Sequence, residues 1–375
     1  MERKFIADVY RLPGLAEVTV AAGVLPHVRE TIEFQLEHFR VAEAAALIDG
    51  LPRISVAPYG EFEGAGAIRF HTACGEAGAL LHEPSRRHAT MRTDRGFAVF
   101  SDTPEVLIVL LLQVLALRSE RTFLHAAGWC DPGGAVTLVP GPGGVGKTAL
   151  LSAAVLRHGA RLLGDDLVTV GRAGAAAFPR AFVLKDYHRS LFPAEFAAVD
   201  TAENRAAVMR RWLVRFVREN APFHGVIKAL FARVGRVDGA SLWLQRQSQA
   251  AEFYAVPVAR LFGADRVAAG GPIRRVVYLE RHYGPFRLES GDAGAVVRRS
   301  VAVLHHEWAD YLRWFCTLGA MDLVDMSGGV RGAEAAMRAA FEDAEILRLQ
   351  VPVEATPEEL ERVWAERIGF FVEAR

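Results

Sequence analysis

The segment GPGGVGKT, Gly141–Thr148, holds the residues whose types and spacing are best suited to chemistry. It matches the pattern of a glycine, four further residues and Gly-Lys-Thr, and it lies between a strand-like and a helix-like stretch. Glycines at these positions let the backbone turn so that successive N–H groups converge on phosphate oxygens. The start of the following helix adds partial positive charge. The pattern predicts a phosphate-binding loop; the alternative is a glycine-rich turn that binds no ligand.

Two side chains of this segment have expected tasks in holding a nucleotide and its metal ion. Lys147 is expected to place its ammonium on the outer phosphates, and Thr148 is expected to offer its hydroxyl to Mg²⁺. The implied cofactors are therefore ATP and Mg²⁺. The predicted nucleotide-binding residues are Gly141, Gly143, Gly144, Val145, Gly146, Lys147, Thr148 and Ala149.

Two adjacent aspartates, Asp165 and Asp166, follow the loop after about one helix length. Gly159 is suited to end that helix in a left-handed conformation, and ARLLGDDLVTV then returns as a strand toward the same sheet edge. One carboxylate there can hold Mg²⁺, and the other can accept the proton of an attacking hydroxyl, which are two tasks of phosphoryl transfer. The alternative is an Asp-rich turn between strands.

The order LHAAGW, GPGGVGKT and RHGARLLGDDLVTV resembles the HPr kinase/phosphorylase superfamily, which also contains the phosphoenolpyruvate carboxykinases. The similarity covers roughly residues 122–185 and extends more loosely to about residue 283. The resemblance implies a P-loop-containing, HPr kinase-like catalytic domain. It also implies that Asp165 is the catalytic acid/base, that Asp166 is a metal-side carboxylate together with Thr148, and that His125 neighbours the transferred phosphate.

The segment AFPRAFVLK, residues 177–185, is similar to a proline-arginine segment of the same relatives. This similarity implies that Arg180 and Lys185 clamp phosphate or substrate. The glycine-rich, arginine-containing signature of true HPr kinases is not recognisable downstream of the aspartates, so HPr is not the expected substrate. The Mn²⁺-binding residues and the arginine cage of the carboxykinases are not recognisable either.

The elements that must position these residues indicate an α/β protein, α+β overall. Short alternating segments over residues 1–100 predict a mixed, β-rich N-terminal domain with one helix around Leu25–Ile48. Residues 101–375 are predicted to form the catalytic domain, with a helical insertion at about 193–271. The arginines and aromatic residues of that insertion indicate either a solvated helix face or a pocket for an acidic acceptor.

Several further elements follow from local patterns. The run VLIVLLLQVLAL predicts a buried helix over Val106–Arg118, with Thr103 as its candidate cap and Pro104 in its first turn. The stretches TFLHAAGWC and AVTLVPG predict two strands around a DPGG turn, and IRRVVYLERHYG and residues 346–351 predict further strands. Thr356, with Pro357 and Glu359 after it, predicts a helix that begins with a capping box.

Composition limits the partners and the location. Basic and acidic residues balance at 44 each, so no global field favours nucleic acid or an anionic membrane. Cys74, Cys130 and Cys316 are far apart, which argues against a disulfide framework and a zinc site. The longest apolar run is too short to span a membrane, and the N-terminus lacks a signal-peptide pattern. We therefore expect a cytoplasmic protein, and the resemblance allows a homo-oligomer.

The sequence thus predicts an ATP-dependent kinase that transfers the γ-phosphoryl group to a hydroxyl of a peptide, amino acid or small metabolite. A nucleotide-dependent ATPase or switch acting on a partner protein is the first alternative, and a non-enzymatic nucleotide-binding scaffold is the second. The segment His305-His306-Glu307 is interpreted as structural, because adjacent helical side chains point about 100° apart and do not easily face one metal ion.

Overall fold

The computed structural model describes residues 6–41, 47–62, 80–83, 87–103, 107–184, 188–199, 254–307, 309–320 and 323–371. The chain divides into two compact units, one of Met1–Ala181 with Pro257–Arg375 and one of Phe182–Val256. The predicted N-terminal domain of residues 1–100 lies within the first unit, and the predicted insertion at 193–271 overlaps the second.

The described elements confirm a mixed α/β composition. The helices are α1 (Pro26–Leu36), α2 (Ile108–Arg118), α3 (Lys147–Leu156), α4 (Pro193–Val199), α5 (Val258–Phe262), α6 (Ala293–Glu307), α7 (Ala309–Ala320), α8 (Met326–Phe341) and α9 (Pro357–Arg367). The strands are β1 (Ile6–Leu12), β2 (Ala16–Ala21), β3 (Arg53–Ala57), β4 (Leu80–Glu83), β5 (His88–Thr93), β6 (Gly96–Ser101), β7 (Arg121–Leu124), β8 (Ala126–Cys130), β9 (Val136–Pro140), β10 (Arg161–Gly164), β11 (Val168–Gly171), β12 (Gly174–Ala176), β13 (Phe182–Leu184), β14 (Tyr254–Val256), β15 (Gly270–Gly271), β16 (Ile273–His282), β17 (Arg287–Ser290) and β18 (Glu345–Pro352).

The N-terminal part of the first unit is a six-stranded sheet in the order β1-β2-β3-β6-β5-β4. Its centre is parallel from β2 through β3 to β6, and its edges are antiparallel. Helix α1 buries Val28, Ile32 and Leu36, which are spaced four residues apart and so lie on one face. That face belongs to a hydrophobic core that continues into α2 and strands β7 to β9.

The sequence-based prediction of the first two helices was wrong at their ends. Helix α1 stops at Leu36 and a 3₁₀ turn follows at Glu37–Phe39, so the predicted helix over Leu25–Ile48 is too long. Helix α2 begins at Ile108, after Leu107 in a left-handed conformation with no side-chain cap. Thr103 therefore does not cap α2, and its backbone N–H instead donates to the Ser101 hydroxyl.

A second six-stranded sheet, in the order β10-β8-β9-β16-β18-β17, carries the glycine-rich segment. Strands β9, β16 and β18 are parallel, and β8 and β9 form the predicted hairpin around the DPGG turn. The carboxyl end of β9 leads directly into the glycine-rich loop, residues 141–146, and then into α3. A four-stranded sheet, β15-β12-β11-β7, stands beside these elements in the same unit.

The chain passes between the second six-stranded sheet and the four-stranded sheet at two places. Strands β7 and β8 belong to different sheets and meet at His125, and β10 and β11 likewise meet across residues 165–167. Leu124 pairs with Val168, and Ala126 pairs with Pro140. This register brings His125, the Asp pair and the start of the glycine-rich loop to one point.

In the second unit β13 pairs with β14 in antiparallel fashion, and the Phe182 and Phe192 rings meet edge to face at 6.2 Å. The arginine-rich residues 205–236 lie outside the described residues. Cys130 is buried with a free thiol, Cys316 is exposed with a free thiol, and Cys74 lies outside the described residues.

Candidate active site

The glycine-rich loop has a backbone that only small residues allow. Gly144 has φ +74° and Gly146 has φ +104°, both in the left-handed region. A side chain at Gly146 would also collide with Leu360 of α9. Because α3 begins at the next residue, the amides of the loop and the N-terminus of α3 are directed to the same space.

Lys147 is buried against the loop that precedes it. Its ammonium donates to the carbonyl oxygens of Gly141 and Pro142, each at 2.8 Å, and to Nε2 of His125 at 3.1 Å. Only 7% of the residue is exposed. The positive charge is thus fixed at the mouth of the loop, where it adds to the partial charge of the helix N-terminus.

Thr148 and Asp165 form a direct pair. The Thr148 hydroxyl donates to Oδ2 of Asp165 at 2.9 Å, which joins the first turn of α3 to the end of β10. Gly164 comes just before this aspartate, and a side chain there would collide with the carbonyl oxygen of Leu167. The tight turn that results presents both aspartates at the edge of the sheet.

Asp166 has different surroundings from Asp165. It has φ +75°, in the left-handed region that aspartate tolerates at a cost of about 1 kcal/mol. Its side chain is 52% exposed, and its Oδ1 lies 3.9 Å from Nδ1 of His125. The Asp166 carboxylate therefore faces the open side of the site, whereas Asp165 contacts the threonine.

His125 is buried between the lysine and this aspartate. Burial, and then the charge of Lys147, lower the pKa of His125 to about 4, although Asp166 and Glu307 act in the opposite direction. The imidazole is therefore neutral near pH 7. Because Nε2 accepts from the lysine, the ring proton belongs on Nδ1, which is buried, has no hydrogen-bond partner among the described residues and faces Asp166.

Arg180 brings a second cation to this group. Burial lowers the pKa of Arg180, and the nearby charge of Asp166 opposes that shift. The guanidinium lies 5.8 Å from the centre of the Phe34 ring of α1, and its Nε has no hydrogen-bond partner within the described part of the chain. The backbone N–H of Ala181 also donates to the carbonyl of Phe34 at 3.2 Å. Lys185, the other predicted clamp residue, lies outside the described residues.

Two residues that the sequence analysis did not assign to the site contact the glycine-rich loop. Glu307, the last residue of α6, accepts a hydrogen bond from the backbone N–H of Gly143 at 2.7 Å. Arg281, near the end of β16, donates to the carbonyl of Gly144 at 3.4 Å. The parallel pairing of β16 with β9 would have indicated Arg281, but no local signal indicates Glu307, which is 164 residues from Gly143.

The donor set is compatible with Mg²⁺ held together with a nucleotide. Among residues that the structure describes, no group of three or more His, Cys, Asp or Glu side chains is arranged to hold a metal ion. Mg²⁺ is usually held by one or two carboxylates, with phosphate oxygens and waters completing its shell. The Thr148 and Asp165 oxygens fit that requirement, and the predicted pairing of Thr148 with Asp166 as metal ligands has no direct contact in support.

No protein-family model matches this chain, and a search of curated proteins gives no significant match. Within the described residues, no helix has both the length and the apolar character needed to cross a bilayer.

Proposed function

We propose that this chain is an ATP-dependent kinase of the HPr kinase-like P-loop class. It transfers the γ-phosphoryl group to a hydroxyl of a peptide or protein Ser/Thr, an amino acid or a small metabolite. The observation that carries the proposal is the convergence of Lys147, Thr148, His125 and both aspartates at the end of the glycine-rich loop. A phosphate-binding turn without chemistry would not need an aspartate pair and a buried neutral histidine there.

Each residue has a task in this proposal. The amides of the glycine-rich loop and Lys147 bind the β- and γ-phosphates. Thr148 and Asp165 hold Mg²⁺, which supplies neutralisation of phosphate charge when bound. Asp165 is the base in the sequence-based prediction, but its contact with Thr148 favours the reverse assignment. Asp166 is exposed on the open side, so we assign it to accept the proton of the attacking hydroxyl.

His125 and Arg180 support Asp166 from the side of the acceptor. The neutral imidazole directs its Nδ1 toward Oδ1 of Asp166 at 3.9 Å, which places a ring N–H beside the proposed base. The Arg180 guanidinium, with its unpartnered Nε, suits an anionic acceptor or the phosphoryl group after transfer. The acceptor would therefore enter between Asp166 and Arg180.

An ADP-release assay tests the proposal. The protein with Mg²⁺ and ATP is screened against hydroxyl amino acids, peptides and sugars, with Lys147→Ala as the inactive control. Release that is slow with ATP alone and accelerated by one acceptor class supports the kinase. Steady phosphate release without an acceptor would indicate the ATPase alternative, and no nucleotide consumption under any condition would contradict both enzymes.

A further inference from the structure

Glu307 contacts the part of the glycine-rich loop that a kinase uses for phosphate. Its Oε1 lies 2.7 Å from the backbone nitrogen of Gly143. A Cβ atom built on Gly143 would lie 3.1 and 3.2 Å from the two carboxylate oxygens, so both oxygens stand over this residue. A carboxylate therefore accepts the hydrogen bond of a backbone N–H that, in the proposed function, binds the nucleotide.

A carboxylate and a phosphate are both anions and need the same donors. The loop amides, the N-terminus of α3 and the ammonium of Lys147 make the local potential positive, which attracts either group. The Gly143 N–H makes one strong hydrogen bond at a time, and two negative groups at this distance repel each other. Glu307 and a terminal phosphate cannot both bind there.

The position of Glu307 in α6 makes its release easy. The residue is exposed and is the last of the helix, whereas Val297 and Leu304 anchor the helix in the core. A negative charge at a helix C-terminus is disfavoured by the helix dipole. Attraction to the glycine-rich loop offsets that cost, and the side chain can rotate away without moving the buried part of α6.

We propose that Glu307 is an internal competitor of the nucleotide: it occupies the Gly143 amide in the nucleotide-free protein and leaves when the terminal phosphate binds. This inference rests on the proposed binding of ATP by the loop. Only molecules in which Glu307 has left the loop can bind ATP, so the observed affinity is lowered by the fraction of such molecules. Removal of the carboxylate charge should therefore tighten ATP binding.

Titration calorimetry with Mg²⁺ and ATP tests the inference on four full-length proteins. These are the unmodified chain, Glu307→Ala, Glu307→Gln and the matched control Glu342→Gln. Glu342 is likewise an exposed glutamate at the end of a helix, α8, where it pairs with Arg172. We expect Glu307→Ala to bind ATP roughly tenfold more tightly than the unmodified chain. Glu307→Gln should gain less ATP affinity, because its amide oxygen can still accept from the Gly143 N–H. The ATP affinity of the control should be unchanged. Thermal melts check that all four proteins are folded.

The other outcomes separate this inference from the proposed function. ATP binding of equal strength in the unmodified chain and in both Glu307 variants would overturn the competitor and leave the kinase proposal standing. Variants that bind ATP no more tightly but lose turnover would assign Glu307 to the chemistry and also overturn the competitor. Absence of ATP binding in all four proteins would overturn both proposals.

Discussion

Asp165 and Asp166 are neighbours in the chain, but their surroundings give them different roles that substitution can separate. Asp165 accepts from Thr148, whereas Asp166 faces His125 and solvent. We expect Asp166→Asn to lower turnover by about 100-fold or more, because it removes the proposed base, and to keep ATP affinity within a few fold. We expect Asp165→Asn mainly to raise the Mg²⁺ concentration needed for half-maximal activity. ADP release during a Mg²⁺ titration, with ATP binding measured in parallel, distinguishes the two.

Asp343→Asn is the matched control for both substitutions. Asp343 is an exposed aspartate in the turn before β18. Its substitution should change neither turnover nor the Mg²⁺ concentration needed for half-maximal activity. Retention of full turnover by Asp166→Asn would contradict the assignment of the base. A large loss of turnover in Asp165→Asn that excess Mg²⁺ does not restore would return that role to Asp165.

The buried histidine gives the fold a pH dependence. The pKa of His125 is lowered to about 4 in the folded protein, from its ordinary value of 6.5. Between these values the unfolded chain binds more protons at this residue, so the stability that it contributes is complete above about pH 6.5 and is lost as the pH falls toward 4. The resulting loss in the free energy of unfolding approaches about 3 kcal/mol.

Comparison with a variant isolates the contribution of this one residue. We expect His125→Gln, whose side-chain oxygen can still accept from Lys147, to lose less unfolding free energy than the unmodified chain between pH 6.5 and 4.5. Urea unfolding at several pH values measures the difference. Parallel pH curves for the two proteins would contradict the low pKa of the histidine.

At the scale of elements, α9 supports the glycine-rich loop and begins with the predicted capping box. Thr356 accepts from the Glu359 N–H, and Glu359 accepts from the Thr356 N–H. Leu360, one residue further on, packs against Gly146. We expect Thr356→Ala to lower the free energy of unfolding by about 1 kcal/mol. It should also weaken ATP binding, because the first turn of α9 lies against the loop.

A threonine within another helix provides the control for this substitution. The Thr317 hydroxyl of α7 donates to the Arg313 carbonyl one turn earlier, so Thr317→Ala should change stability by less than about 0.5 kcal/mol. Urea unfolding and ATP titration measure both variants. Equal losses of unfolding free energy in Thr356→Ala and Thr317→Ala would show that the capping box does not stabilise the start of α9.

Elements specified by neighbouring residues could be predicted from the sequence, and elements specified by distant ones could not. The DPGG hairpin and the capping box at Thr356 depend on contacts within a few residues. The start of α2 depends on where Leu107 enters the core, which no local pattern records. Strands β7 and β8 separate at His125 because they pair with strands of two different sheets. The sequence alone does not distinguish them from one continuous strand.

At the scale of the whole molecule, the candidate site draws on residues that are far apart in the chain. Glu307 reaches Gly143 across 164 residues, and Phe34 reaches Arg180 from the N-terminal sheet region. The N-terminal region is a separate domain in the sequence-based prediction, and the glycine-rich motif and Asp pair carry no information about either contact. The structure therefore adds Glu307, Arg281 and Phe34 to the surroundings of residues that the sequence already indicated.

The N-terminal region should influence the acceptor and not the nucleotide. Phe34 packs beside the Arg180 guanidinium and also holds the following backbone through Ala181. We expect Phe34→Ala to raise the KM of the acceptor identified by ADP release by about fivefold, since a cation–π contact contributes on the order of 1 kcal/mol. The KM for ATP should stay constant. Leu25→Ala, at the opposite end of α1 and 39% exposed, is the control and should leave both constants unchanged. A rise in both constants for Phe34→Ala would mean that α1 stabilises the whole site, because a clamp confined to the acceptor leaves the affinity for ATP unaffected.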